Sequence, residues 1–163
     1  MCCRMKVSLI CVGKLKEKYL TMGIEEYKKR LSRYCTLEII EIPDEKTPDN
    51  AGIAIETSIK KKEGEKILKA LKGDSYCFAL AIEGKMLSSV ELSVHLENLF
   101  ITGKSHITFI IGGSLGLSEE VLKRADYQLS FSKMTFPHQL MRLILLEQIY
   151  RSFSIIHNTP YHK

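Results

Sequence analysis

Three short segments near the end of this 163-residue chain combine residue types that suit ligand binding. The first is a glycine loop, Gly112–Gly116, which follows the apolar run 107–111 and precedes a helix start at Ser118. The second is 131–138, which opens the last long helix, and the third is the terminal segment 157–163. In α/β folds, a buried strand followed by a glycine loop and a helix forms ligand sites. The order and spacing of the three segments indicate one shared site.

The glycine loop does not match the common phosphate-binding motifs. A dinucleotide site requires G-x-G-x-x-G near the first strand, whereas this loop has the pattern G-G-x-x-G and follows the fourth strand. The tripeptide Gly103–Ser105 contains G-K-S, but it precedes a strand, and Asn98 stands where a P-loop requires glycine. Because residues 112–118 include no Lys or Arg, they suit a nucleoside-like ligand without phosphate better than a polyphosphate. S-adenosylmethionine is such a ligand.

Strand and helix patterns alternate along the chain. Apolar runs predict strands over 5–12, 37–42, 76–82, 106–111 and 126–131. Periodic apolar residues and capping signals predict helices over 20–34, 52–72, 88–100, 118–124 and 137–151. This alternation predicts an α/β fold with a mostly parallel sheet and helices on both faces. Ligands bind such sheets at the carboxyl ends of strands, where Leu80–Lys85, Gly112–Leu117 and Phe131–Phe136 fall.

Length and composition limit the class of protein. The chain fits a single domain over 1–163, in which residues 1–4 match no structural pattern and are interpreted as an N-terminal extension. Its apolar stretches are far shorter than the roughly 20 residues of a membrane span, and no signal peptide is apparent. Five cysteines without C-x-x-C spacing predict a reducing cytoplasm, with buried thiols at Cys11 and Cys77. Five histidines without ligand spacing predict no metal site.

The net charge of +5 is unevenly distributed. Residues 1–72 carry 16 Lys and Arg against 11 Asp and Glu, whereas residues 73–163 carry eight of each. The basic clusters are 14–16, 28–33 and 60–62. A one-sided basic excess fits nucleic-acid binding, although charge alone favours the interpretation of solvated helix faces.

Four segments together resemble the SPOUT-class methyltransferases, and within them the bacterial group that modifies large-subunit ribosomal RNA, the methyltransferase H type. The segments are Leu80–Lys85, Ile111–Gly116, Thr135–Arg142 and Asn158–Lys163. The last one ends in the P-Y-H-K/R pattern of that group, and the similarity runs from about Met5 to the end of the chain. The family's glycine loop often carries Pro-Glu where this chain has Ser-Leu at 114–115, so no role is assigned to position 115.

The resemblance implies a fold, an activity and partners. It implies a trefoil knot near the C-terminus, an obligate homodimer, and S-adenosylmethionine bound in the knot. It also implies methyl transfer to the ring N3 of a pseudouridine in 23S ribosomal RNA, with the assembled ribosome as the favoured substrate. The alternatives are a SPOUT enzyme with another target, such as a tRNA ribose, and a non-catalytic RNA- or ribosome-binding dimer of the same fold.

The resemblance also assigns cofactor contacts to the strand ends and loops. They are Leu80, Gly112, Phe131, Ser132, Lys133, Met134, Thr135 and Phe136; Gly113 is added because it also follows the buried strand. Leu80 is expected to contribute through its backbone. The glycines are expected to admit the ligand close to the main chain, because they lack a side chain.

Four residues are candidates for the chemistry. His138 and Arg142 are four apart on the last helix and therefore share a face, whereas Tyr161 and His162 are assigned by the resemblance alone. The target nitrogen must lose a proton, which His138 or His162 could accept, while Arg142 could stabilise the developing negative charge. The sequence leaves this assignment open. The last helix is apolar nearly all round, which predicts burial against the protein and a partner subunit.

Overall fold

The computed structural model describes residues 4–163 and confirms the α/β class. The strands are β1 (Met5–Val12), β2 (Cys35–Ile42), β3 (Tyr76–Met86), β4 (His106–Ile111) and β5 (Tyr127–Ser130). They form one parallel sheet in the order β2-β1-β4-β3-β5. The helices are α1 (Lys18–Leu31), α2 (Ile53–Ala70), α3 (Ser89–Ile101), α4 (Glu119–Arg124) and α5 (His138–Ile156).

Apolar side chains on both faces of the sheet hold the helices in place. Successive strand residues point to opposite faces, and in β1 both Leu9 and Ile10 are buried. Leu9 belongs to a core built with α1, α3 and α5. Ile10 belongs to a second core that includes Ile67 of α2 and Val121 of α4. The sheet is therefore covered on both faces, as the sequence predicts.

The third strand is longer than the predicted 76–82. Pairing with β5 continues to Met86, but the register shifts between Leu80 and Lys85. Gly84 permits this irregularity, because a Cβ there would lie 2.6 Å from the Gln128 carbonyl oxygen. The residues within the shift leave the regular ladder and contribute to the cleft described below.

The predicted thiols and the N-terminal segment can be compared with the structure. Cys11 and Cys77 are buried as predicted, and burial raises the pKa of each thiol to about 12. Arg4 donates hydrogen bonds to the carbonyl oxygens of Ser32 and Cys35, which attaches it to the start of β2. The rest of the predicted extension, residues 1–3, lies outside the described residues.

Two features bear on membranes and metals. Within residues 4–163, no helix is both long and apolar enough to cross a membrane. The same residues include no group of three His, Cys, Asp or Glu side chains arranged to hold a metal ion.

The trefoil knot, which the resemblance implies near the C-terminus, stays a prediction.

Candidate cofactor site and active site

A cleft of about 630 Å³ lies at the carboxyl edge of the sheet, where the sequence predicts a ligand site. Its walls come from the second half of β3, from the ends of β4 and β5 and the loops that follow them, and from the first turn of α5, with one residue each from α2 and α4. The predicted cofactor residues that line it are Leu80, Gly112, Gly113, Phe131, Ser132, Met134, Thr135 and Phe136. Lys133 is exposed and does not line it. The volume falls in the range of small-molecule sites, roughly 300–1,000 Å³.

The glycine loop is folded tightly upon itself. The Gly116 N–H donates to the Gly113 carbonyl oxygen at 3.1 Å, and Gly116 has a φ of +85°. A Cβ on Gly112 would lie 2.9 Å from the carbonyl carbon of Gly116, and one on Gly113 would lie 3.1 Å from Cγ1 of Val12. The packing of the loop therefore already requires glycine at 112. Approach of a ligand to this backbone stays a prediction.

The walls of the cleft are mainly apolar, with few charged groups. Among the lining residues, all of which fall within 4–163, only Lys60, Glu83 and His138 carry ionisable side chains. Sequence reasoning missed Lys60, because it lies on α2, far along the chain from the three loops. Glu83 belongs to the predicted strand end Leu80–Lys85, but the sequence predicts no role for its side chain.

His138 is the predicted catalytic residue that reaches the cleft. Its ring packs against Gly13, whose φ is +98° and whose added Cβ would lie 3.4 Å from Nε2 of His138. Burial lowers the pKa of His138, the positive charge of Arg142 lowers it further, and Asp44 opposes both effects. The imidazole is therefore neutral at neutral pH, which is the form that accepts a proton.

Arg142 lies behind His138 rather than in the cleft. It is 1% exposed; Nη1 donates to Oε2 of Glu41 at 2.8 Å and Nη2 donates to the Gly13 carbonyl oxygen at 3.1 Å. Its Nε has no hydrogen-bond partner among the described residues. In this arrangement Arg142 fixes the segment against which His138 packs. Direct contact with a substrate would require the guanidinium to leave these partners.

Glu41 balances the charge of Arg142. Partial burial of Glu41 acts to raise its pKa, but hydrogen bonds from Arg142 and the Leu15 N–H, together with the charge of Arg142, outweigh burial and lower it. The carboxylate therefore stays ionised at neutral pH and compensates the buried guanidinium.

The two remaining candidates lie away from this cleft, against α1 and α5. The Tyr161 hydroxyl donates to Oε1 of Glu147 at 3.1 Å and lies 3.2 Å from the Tyr27 hydroxyl. The Arg151 guanidinium sits 4.9 Å from the centre of the Tyr161 ring, and its Nη1 is 3.1 Å from Nδ1 of His162. Burial and the hydrogen bonds with Tyr27 and Glu147 raise the pKa of Tyr161. The tail is thus held in place, whereas a terminal segment of this kind frays by default.

A family model described as a predicted SPOUT methyltransferase matches residues 5–162. The chain belongs to the SPOUT methyltransferase family. Two of its relatives are named "Ribosomal RNA large subunit methyltransferase H". The one from Alkaliphilus oremlandii is 64% identical and the one from Clostridioides difficile is 62% identical; each match covers 98% of this chain and 100% of the relative. These matches confirm the resemblance inferred from the sequence motifs.

A solved structure supports the fold of this SPOUT family member. It is a probable methylase family protein from Haemophilus influenzae, with a TM-score of 0.52. The match covers 98% of this chain and 70% of that one. At 12% identity, the likeness concerns the fold alone.

Proposed function

We propose that this SPOUT methyltransferase transfers a methyl group from S-adenosylmethionine to the ring N3 of a pseudouridine in large-subunit ribosomal RNA, on the assembled ribosome. The observation that carries the proposal is near full-length identity of 60–64% with proteins named as large-subunit ribosomal RNA methyltransferases. The cleft at the strand ends supports it, because that edge is where α/β sheets bind ligands. Because the proposed substrate is the ribosome, the proposed location of the enzyme is the cytoplasm.

The cleft fits the proposed cofactor in size and chemistry. Apolar residues such as Leu80 and Leu117 suit the faces of an adenine, and the glycine loop exposes backbone groups without side chains. The lining includes the carboxylate of Glu83 and the ammonium of Lys60. These opposite charges suit the ammonium and the carboxylate at the amino-acid end of S-adenosylmethionine. When bound, the cofactor supplies an electrophilic methyl group on a sulfonium.

The protein's own contribution is to orient the target base and to take its proton. Transfer to a ring nitrogen requires alignment of nucleophile and methyl carbon and a group that accepts the N3 proton. His138 is the candidate acceptor in the cleft, because it is partly buried and neutral. Arg142 acts behind it by fixing Gly13 and by disfavouring the protonated imidazole.

The tail fits this scheme if the enzyme is a homodimer. Tyr161 and His162 lie outside the cleft of their own protomer, so we propose that they complete the cleft of the partner subunit. A 270 Å³ groove between α3, β5 and α5 is lined by apolar residues that include Leu87, Leu92 and Ile144. Met86, next in sequence to Leu87, and Val90, next to Ser89, are exposed, and this apolar surface suits burial against a second copy.

Two measurements test the proposed function. Calorimetry with S-adenosylmethionine tests cofactor binding, and absence of binding by the folded protein would reject a methyltransferase in favour of an RNA-binding dimer. Mass mapping of ribosomal RNA and tRNA from cells with and without the protein identifies the methylated nucleoside. We expect one methylpseudouridine to disappear from the large-subunit RNA. A lost ribose methyl group in tRNA would instead establish the alternative target.

A matched comparison tests the form of the substrate. Purified ribosomes and protein-free large-subunit RNA are incubated with the enzyme and labelled cofactor. We expect methylation of ribosomes to exceed that of free RNA, and equal rates would reject the assembled ribosome as the preferred substrate.

A further inference from the structure

Lys60 brings a positive charge to a cleft whose loops contribute no lysine or arginine to its lining. Of the residues that line the cleft, all within the described range 4–163, Lys60 is the one with a permanent positive charge. Glu83 is the lining carboxylate, and burial keeps His138 neutral. Lys60 makes no salt bridge with any residue of 4–163. Its charge is therefore available to a ligand.

The close packing of α2 directs Lys60 toward the cleft. Gly64 lies so near Ser118 and Val121 that an added Cβ would contact both side chains, at 3.3 Å from Cγ2 of Val121. Ser118 caps α4 by accepting a hydrogen bond from the Val121 N–H. Lys60 precedes Gly64 by four residues and so shares its face of α2. The same contact that joins α2 to α4 thus turns Lys60 toward the glycine loop.

Glu63 reinforces this orientation. Its side chain is 5% exposed and accepts a hydrogen bond from the Glu45 N–H at 3.0 Å. A Cβ on Gly113 would lie 3.5 Å from its Oε1, so the carboxylate abuts the back of the glycine loop. Lys61 and Lys62 are exposed and do not line the cleft. One lysine of three in this cluster therefore faces the site.

We propose that Lys60 is the anion-binding residue of the cleft and that it pairs with a carboxylate or phosphate of the reacting molecules. The inference rests on the proposed function, which supplies two such anions: the carboxylate of the cofactor's amino-acid end and a phosphate beside the target nucleotide. A lysine ammonium is a flexible point charge that binds either group. The glycine loop has no Lys or Arg of its own, so a cation for either anion must come from elsewhere in the fold.

The first experiment isolates the carboxylate. Binding of S-adenosylmethionine and of its decarboxylated analogue is measured by calorimetry for the wild type, Lys60→Met and Lys61→Met. The two ligands differ only in the carboxylate, and Lys61 is an exposed neighbour on the same helix. If Lys60 holds the carboxylate, the preference for S-adenosylmethionine falls about tenfold in Lys60→Met, which is the scale of a charge-assisted hydrogen bond. Lys61→Met retains the wild-type preference.

The second experiment isolates the phosphate. At saturating S-adenosylmethionine, the KM for ribosomes is measured over a range of salt concentrations for the same three proteins. If Lys60 holds a phosphate, Lys60→Met keeps the ligand preference, raises this KM, and reduces the salt slope by roughly 0.7 to 0.9 relative to Lys61→Met. Equal thermal unfolding of the variants verifies that the fold is intact.

The outcomes separate the inference from the proposed function. A wild type that binds neither ligand overturns both. A wild type that binds and methylates, with Lys60→Met and Lys61→Met indistinguishable in ligand preference, KM and salt slope, overturns the role of Lys60 alone.

Discussion

Arg142 and Glu41 form a salt bridge of 2.8 Å in which the guanidinium is buried and the carboxylate remains 40% exposed. The pair joins α5 to the end of β2, and through the Gly13 carbonyl oxygen it also holds the end of β1. His138 packs on that same glycine. The sequence suggests that the positive charge of Arg142 stabilises the substrate. In the structure Arg142 lies behind the candidate base His138, where it affects the protonation and the position of the imidazole.

The first prediction concerns this charge and pH. The pKa of His138 is lowered from 6.5 by burial and by Arg142, so the methylation rate should rise with pH and level off after a midpoint below 6.5. Arg142→Met removes the nearby positive charge and should move this midpoint upward. We also expect a loss of about 10² in rate at neutral pH, on the scale of misplacing a catalytic group, with S-adenosylmethionine binding retained.

Single-turnover assays on ribosomes at saturating cofactor give these profiles. Arg142→Lys is the matched control, because it keeps the charge and should keep the midpoint. Thermal unfolding accompanies each variant, since breaking a buried ion pair costs roughly 3–5 kcal/mol and a partly exposed partner such as Glu41 reduces that cost. An unchanged midpoint in folded Arg142→Met would remove His138 from the role of proton acceptor.

The second prediction concerns the glycine loop. Gly112→Val places a branched side chain against the backbone of Gly116, so the loop must open and lose its shape. We expect cofactor affinity to fall by at least about 2 kcal/mol, on the scale of overpacking a filled site. Gly73→Ala is the control, because nothing lies within 4 Å of its added Cβ. Calorimetry that finds wild-type affinity in folded Gly112→Val would exclude this loop from the cofactor site.

Local sequence patterns predict the loops that form the site, but they do not predict the residues that tertiary packing brings to those loops. The glycine loop is predictable because a buried apolar strand ends immediately before it, and the buried thiols follow from strand patterns. Lys60 is not predictable, because its orientation depends on a contact between α2 and α4. The anchors of the tail, Tyr27 and Glu147, are likewise brought together only by the packing of α1 on α5.

The third prediction concerns the dimer. The apolar pattern of α5 predicts burial of this helix against a partner subunit, but Leu145 and Ile149 of that pattern are fully buried in the protomer's own core. Glu at either position should therefore unfold the chain. Ile144 is partly exposed and lines the groove beside α3, so Ile144→Glu should dissociate the dimer with less damage to the fold. Sedimentation measures both effects, and a stable wild-type monomer that binds cofactor would contradict the homodimer.

The fourth prediction concerns RNA phosphates. Lys28, Lys29 and Arg33 lie toward the end of α1 and just beyond it, on the sheet face opposite α2. Reversing all three to Glu should weaken ribosome binding and reduce its salt slope by about two to three, since each phosphate contact contributes roughly 0.7 to 0.9. Cofactor affinity should not change, because none of the three lines the cleft. An unchanged slope would identify this cluster as a solvated helix face.

The fifth prediction concerns the tail. Removal of residues 161–163 should cut the methylation rate by about 10² or more while S-adenosylmethionine still binds. It should also lower the free energy of unfolding by about 1–2 kcal/mol, because the Tyr161 hydroxyl bonds and the Arg151 contact are lost. Tyr161→Phe keeps the ring and loses the hydroxyl. The rates of Tyr161→Phe and His162→Ala show which of the two side chains causes the loss. The raised pKa of Tyr161 keeps its phenol protonated, so Tyr161 does not serve as the base.

Mixed dimers determine which cleft the tail serves. A subunit without 161–163 is combined with a Gly112→Val subunit, so each heterodimer has one intact cleft and one intact tail on different chains. If Tyr161 and His162 act across the interface, the mixture regains activity that neither parent has, because one complete site forms. If the tail acts within its own subunit, no complete site forms and the mixture stays inactive. A wild-type rate in the deletion variant would remove both residues from the active site and leave His138 or solvent as the proton acceptor.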